Sequence, residues 1–189
     1  MTSHTNREKV IDLLATWKQA IRVCHKAHVR SAAILQRKNR AFGIPVVILS
    51  TVAGTTVFAT LETSPELWVK IAVGLLSVTA AVLASLQTFL GYSEMAERHK
   101  AASQKYGTLR REIEEVIAIH EKGEDLPSHY LKSVRTRWDA VDEESPSLSQ
   151  DLYDKIAKDV WRGAKSHDTE QKENTPVRKR EEFNADIIS

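Results

Sequence analysis

Two histidines one helical turn apart, His25 and His28, with a third at His99, are the side chains of this chain best suited to ligand chemistry. Imidazoles spaced i, i+3 share one face of a helix, and neutral imidazole is a common metal ligand. A closed metal site needs further ligands, and no carboxylate or cysteine is clearly positioned to complete one. The preferred reading is packed, hydrogen-bonded histidines, so no metal and no other cofactor is expected. Cys24, the single cysteine, excludes an intramolecular disulfide framework and reads as a small core residue. Glycine-rich phosphate loops, nucleophile elbows and paired-cysteine zinc spacings are missing from the sequence. No catalytic residue is therefore expected, the chain does not read as an enzyme, and no direct nucleic-acid site is evident.

A second group of polar residues occupies unusual ground. Gln87 and the threonines Thr51, Thr55, Thr56 and Thr60 lie inside two stretches, Ala41 to Leu61 and Ile71 to Leu90, that contain no Asp, Glu, Lys, Arg or His. Each stretch, about 20 residues of helix, spans roughly 30 Å, the hydrocarbon thickness of a bilayer. The soluble alternative requires both helices to be buried on every face, and the rest of the chain has only narrow apolar stripes to cover them. The overall composition, 28% charged with negative mean hydropathy, conceals this partition. The expected fold is an all-α membrane protein, a two-transmembrane helical hairpin with spans at about 41–61 and 68–91. The acidic "ETSPE" between them forms the turn.

Nine Lys and Arg residues precede Ala41 against two acids, Glu8 and Asp12, and Arg98, Lys100, Lys105, Arg110 and Arg111 follow Tyr92. The turn from Glu62 to Glu66 has no Lys or Arg. By the positive-inside rule both termini are cytoplasmic and the turn is outside. Trp68 and Tyr92, at opposite ends of the second span, suit its two interfaces. The first forty residues are too charged to hold the apolar region of a cleavable signal peptide.

Outside the spans, periodicity near 100° per residue defines the elements that position these side chains. A first helix with capping-box spacing from Thr5 to Glu8 places Val10, Leu13, Leu14, Trp17, Ile21, Cys24, His28, Ala32 and Leu35 on one face. Lys18, Arg22, Lys26, Arg30, Arg37 and Arg40 form a basic back, suited to solvent, to anionic lipid head groups or to a partner's phosphates. Gly43 and Pro45 are expected to bend this helix as the span begins. In the second span Gly74, Ser77, Ala81, Ala84, Ser85 and Thr88 share one arc, opposite bulky Leu75, Val78, Val82, Leu83, Leu86, Phe89 and Leu90. Small and hydroxyl residues on one face allow close helix approach. Gln87 should face protein or water.

The stripe continues in phase through Met95, His99, Ala102, Tyr106, Ile113 and Ile117, so span and cytoplasmic segment are expected to be one helix of about fifty residues. It ends at Lys122 and Gly123, with Pro127 preventing resumption. The two long cytoplasmic helices then run antiparallel as a stalk, Trp17 level with Leu109 to Ile113. Shorter amphipathic helices over "SHYLKSVRTRWDAVDEES" and "SQDLYDKIAKDVWRG" fold back onto it. Residues 163–189 read as a polar, mostly disordered tail.

The runs "FGIPVVILSTVAGTTVF" and "SLQTFLGYSEMAERHKAASQKYGTLRREIE", followed by "ESPSLS" before a last helix, resemble the SLATT domain over residues 5–162, most specifically from Ser85 to Glu114. The resemblance implies a bacterial two-span effector of nucleotide-signalling conflict systems, in the inner membrane, without enzymatic activity. It implies a self-associating protein that forms a pore or disrupts the membrane on receiving a signal during phage infection, with growth arrest or death of the cell. It also implies a signalling partner such as a nucleotide synthase or reverse transcriptase system, and a nucleotide second messenger as one form of the signal. Glu94, Glu97, His99, Tyr106 and Arg111 correspond to the family's juxtamembrane signature. Two helices cannot enclose a channel, so conduction requires a homo-oligomer in membrane lipid, with the Gly74-to-Thr88 stripe and Gln87 as its first candidate surface. The competing reading is a non-conducting anchor that recruits a signalling partner through its cytoplasmic helices and tail.

Overall fold

The computed structural model describes residues 2–59, 66–121 and 128–173, and every secondary-structure element among them is helical. They are α1 (Thr2–Ala59), α2 (Leu67–Leu90), α3 (Tyr92–Glu121), α4 (Ser128–Glu144) and α5 (Gln150–Glu173). The turn at 60–65 and the end of α3 at Lys122, Gly123 and Pro127 lie outside the described residues, as does 174–189.

Helix α1 is the spine. It packs along α2 and α3, α5 packs against it, and α4 packs against α3. Its start precedes the expected cap at Thr5, and it continues through Gly43 and Pro45 as one helix. The proline removes one backbone bond and crowds the carbonyl four residues back, and the helix continues on either side of it. The partners of α1 run in reverse order along α2 and α3: Asn39 with Gln87, His28 with His99, His25 with Ser103. The pairing is antiparallel with one constant register, which sets Trp17 level with residues just past Leu109.

Where one continuous helix is expected after the turn, the structure has two. Gly91 ends α2 with φ +56°, a left-handed cap, and α3 begins at Tyr92. Met95 N–H donates to the Gly91 carbonyl at 3.1 Å, so the chain re-enters helix within a turn. Glycine permits this because it has no Cβ to clash in the left-handed region. The apolar stripe of α3 meets α1, whereas the small-residue arc that precedes it in α2 does not, so the two helices present different faces to α1.

Below the spans the amphipathic stripes bury one another. Leu14 and Ile21 of α1, Ala102, Tyr106, Leu109 and Ile113 of α3 and Val134 of α4 form the core, with Val10, Trp17, Cys24, Tyr130, Leu131, Trp138 and Val141 at its margin. Trp17 meets Trp138 edge to face, centroids 6.1 Å apart. Leu13, expected on this face, is 40% exposed. Val23 and Ala27 are also buried, although they lie about 120–180° round the helix from Leu14 and Ile21. Burial on two sides makes α1 the central helix. Ion pairs at the margin, Arg137 to Glu112 and Lys105 to Glu144, tie α4 to α3, each contributing no more than about 1 kcal/mol at such exposure.

Helix α5 buries Val160 and half-buries Leu152, Tyr153 and Ile156, while Trp161 is 40% exposed. It continues to Glu173, eleven residues into the segment expected to be disordered. Beyond Gly163, the residues from Ala164 to Glu173 hold no helix breaker, and a helix already anchored upstream propagates through such a sequence at little cost.

Candidate functional site

Two helical stretches, one within Glu8–Phe58 and one within Leu67–Ile119, are long and apolar enough to cross a membrane, and almost none of either is buried inside the chain. Phe58, Leu75 and Phe89 are 75%, 65% and 86% exposed. The core helix of a soluble protein would be covered. Bare apolar faces on this scale suit a lipid surround.

The spans meet along a face that periodicity alone did not single out. Ala53 and Ala80 are buried, and Val69, Val73, Leu76, Leu83, Ala84 and Gln87 are half-buried. Of the small-residue stripe only Ala84 borders this contact. Gly74, Ser77, Ala81, Ser85 and Thr88 are exposed, and a Cβ built on Gly74 would meet nothing within 4 Å. The stripe lies about 100° from the face that α1 occupies. Its hydroxyls are satisfied within their own helix: Ser77 donates to the Val73 carbonyl, Ser85 to Ala81 and Thr88 to Ala84, at 2.9 to 3.2 Å. Thr51, Thr55 and Thr56 do the same in α1. A shallow apolar groove of about 490 Å³ runs along this side of α2 between Val78, Ala81, Val82, Ser85, Leu86 and Phe89.

At the stalk end of the spans Gln87 turns inward. Its Nε2 donates to Asn39 Oδ1 at 3.4 Å, and its amide lies over Gly43. One turn further down, Phe42 stacks on Tyr92 with centroids 6.0 Å apart, and Lys38 Nζ stands 5.7 Å from the Tyr92 ring. Sequence reasoning placed Gln87 against protein or water but did not find Asn39 and Gly43; a polar residue facing a glycine at one register was the available signal.

The five juxtamembrane positions separate into two groups. Glu94 and Glu97 are exposed and pair with Arg98 (2.7 Å) and Lys100 (3.5 Å) one turn along α3. Arg111 is exposed and donates to Thr108 Oγ1 at 3.2 Å. His99 and Tyr106 point into the stalk. His99 Nδ1 lies 2.9 Å from His28 Nδ1, both rings being buried, and Tyr106 stacks on His28 with centroids 5.3 Å apart. The Tyr106 hydroxyl donates to the carboxylate of Asp142 in α4. His25 Nδ1 lies 2.8 Å from the Ser103 carbonyl, so that nitrogen carries the proton, and the ring sits over Gly107, where a Cβ would approach it to 3.2 Å. Glycine here provides close approach of α1 to α3.

Burial sets the electrostatics of this cluster. It pushes His28 down to about 4, helped by the nearby His99 and His25, and lowers His99 as well. Cys24 is raised to about 11 by burial and by the charge of Asp142. Tyr106 is raised by burial and by its bond to Asp142. Both histidines are therefore neutral at neutral pH. Asp142 was not foreseen; a tyrosine on an apolar stripe, whose hydroxyl must find a partner when buried, was its only sequence signal.

The basic back of α1 stays unneutralised: Lys18 and Arg22 are half-buried, Lys26, Arg30, Arg37 and Arg40 are exposed, and none forms an ion pair with another described residue. Among the described residues no group of three His, Cys, Asp or Glu is placed to hold a metal ion.

The sequence profile of SMODS and SLOG-associating 2TM effector domain family 4 matches residues 22–145, from the middle of α1 to the end of α4. No curated protein and no solved structure matches the chain.

Proposed function

The chain belongs to the SMODS and SLOG-associating 2TM effector domain family, and on that premise we propose that it self-associates in the bacterial inner membrane and opens a conductive or disruptive path on receiving a signal. Membrane residence itself follows from the two-transmembrane family and from two apolar helices left bare by the chain's own packing. The proposal extends this to both termini in the cytoplasm, to arrest or death of a phage-infected cell, and to a nucleotide-synthesising or reverse transcriptase partner that supplies the trigger.

The observation that carries the proposal is the uncovered face of α2. Helix α1 takes the side marked by Ala80 and Gln87 and leaves Gly74, Ser77, Ala81, Ser85 and Thr88 free. Small residues gain little from contact with lipid tails but let another helix approach closely, which is how helices associate where water supplies no driving force. A second copy seated there would bring further spans beside the first pair, and repetition around an axis would enclose a path.

The test is reconstitution of the full chain in liposomes, with and without the co-expressed partner, reading oligomer size and dye or ion release. Gly74→Leu and Ala81→Leu are expected to abolish release and reduce assembly while leaving the helical content unchanged. A wild-type chain that stays monomeric and retains dye with its partner present overturns the proposal. Intact function in both leucine variants, with loss on deleting residues 174–189, favours the anchor instead.

A further inference from the structure

We propose that the His28–His99 pair is a proton-binding clasp: uptake of a second proton parts α1 from α3 immediately below the spans. The geometry carries this. The two Nδ1 atoms face each other at 2.9 Å inside the stalk, with rings 1% and 4% exposed. A hydrogen bond between two imidazole nitrogens uses one proton, one ring donating and the other accepting. A second proton turns the acceptor into a donor, and two N–H groups then confront each other with a net charge in a site closed to water. That arrangement is repulsive, and the charged form is poorly solvated.

The surroundings offer the added charge no relief. From α1, His25 is committed to the Ser103 carbonyl, and its own charge opposes protonation of His28. From α3, Tyr106 stacks on His28 and gives its hydroxyl proton to Asp142 of α4, the carboxylate on that side. Tyr153 of α5 and the Cys24 thiol are held neutral, both raised by burial. Asp142 is engaged by the Tyr106 hydroxyl, and among the described residues the His28 and His99 Nδ1 atoms are bonded to each other. The cheapest response to protonation is separation of the rings.

Both helices lead straight to the membrane. Helix α1 continues unbroken from His28 into the first span, and His99 lies two turns beyond Gly91, whose left-handed backbone joins α3 to α2. Parting the helices at this level changes how the spans enter the bilayer while Gly91 accommodates the angle. Conduction as the consequence rests on the reading under Proposed function; the clasp does not.

The test uses the full chain in lipid nanodiscs. Nitroxides at exposed positions, Lys26→Cys and Gln104→Cys in a Cys24→Ala background, report the α1–α3 separation, and ¹⁵N-histidine spectra of the unlabelled wild type report ring protonation. Between about pH 7.5 and about pH 4 the separation is expected to lengthen by about 2 Å or more as the pair takes up its second proton. His28→Asn and His99→Asn keep a polar side chain that does not titrate, and each should make the separation independent of pH. A wild-type separation that stays constant while either ring titrates overturns the clasp, as does a pH response retained in both variants. Dye release from liposomes, expected to rise over the same range, distinguishes the two ideas. A moving stalk without release leaves the clasp standing and removes the pore; partner-triggered release with a stalk indifferent to pH does the reverse.

Discussion

Gln87 of α2 lies directly over Gly43 of α1, so close that a Cβ at position 43 would stand 3.1 Å from Gln87 Nε2. The contact joins the two spans at their stalk end. Gly43→Ala should be tolerated, because the amide end of Gln87 can swing aside. Gly43→Leu cannot be accommodated without parting the helices and is expected to cost about 1–3 kcal/mol. Thermal unfolding in detergent checks this; Gly74→Leu, which meets nothing within 4 Å, is the control that should leave the monomer's stability unchanged.

Gly91 holds φ +56° between α2 and α3. Gly91→Ala is expected to destabilise the chain by roughly 1–2 kcal/mol, the cost of a Cβ in the left-handed region, and Gly91→Val by more. Chemical denaturation read by circular dichroism gives the comparison, and a neutral Gly91→Val would show that the junction can straighten freely.

Cys24 is half-buried with its thiol pushed up to about 11 from 9.0, so its thiolate fraction at neutral pH is about a hundredfold below that of an unperturbed cysteine. Iodoacetamide should label the native protein at a rate reduced by at least that factor, and the unfolded protein at the ordinary rate. Mass spectrometry of timed quenches provides the measurement.

The neutral histidines make the stalk's stability depend on pH with a definite sign. His28 is lowered from 6.5 to about 4 in the folded chain, so the unfolded chain binds more protons between those values. The stabilising contribution is complete above pH 6.5 and is lost as pH falls toward 4. The melting temperature should drop across that window, and His28→Asn should flatten the profile. Asp142→Asn should not, since Asp142 exerts its charge elsewhere in the cluster.

Trp17 and Trp138 meet edge to face at 6.1 Å, joining α1 to α4 through the margin of the core. Each alanine variant is expected to cost about 3 kcal/mol or more. Their double-mutant cycle should show a coupling of about 0.5–1.5 kcal/mol. Additive losses would mean that α4 is held by its contacts with α3 alone.

Much of the architecture is legible in the sequence, because it is written in local periods. Stretches without charge are long enough for a bilayer, and the stripe from Leu14 through His28 must meet one on the returning chain. Helical rise then sets the depth at which Trp17 finds its neighbours. Even the inward direction of Gln87 follows from the cost of leaving an amide in lipid. These are properties of single helices.

Choices between helices are not legible there. Periodicity shows that α2 has a small face, but only packing shows that α1 takes the neighbouring side, at Ala80, and leaves Gly74, Ser77, Ala81, Ser85 and Thr88 bare. The facing Nδ1 atoms of His28 and His99, the Tyr106–Asp142 bond and the glycine beneath His25 each join residues at least 36 positions apart. The break at Gly91 is equally hidden, since the stripe reads in phase through it in the sequence although α1 meets different faces of α2 and α3. Sequence alone settled which surfaces shun water, a matter of composition and period. The tertiary structure decided which of them meet, because that depends on distances of a few tenths of an ångström between side chains far apart in the chain.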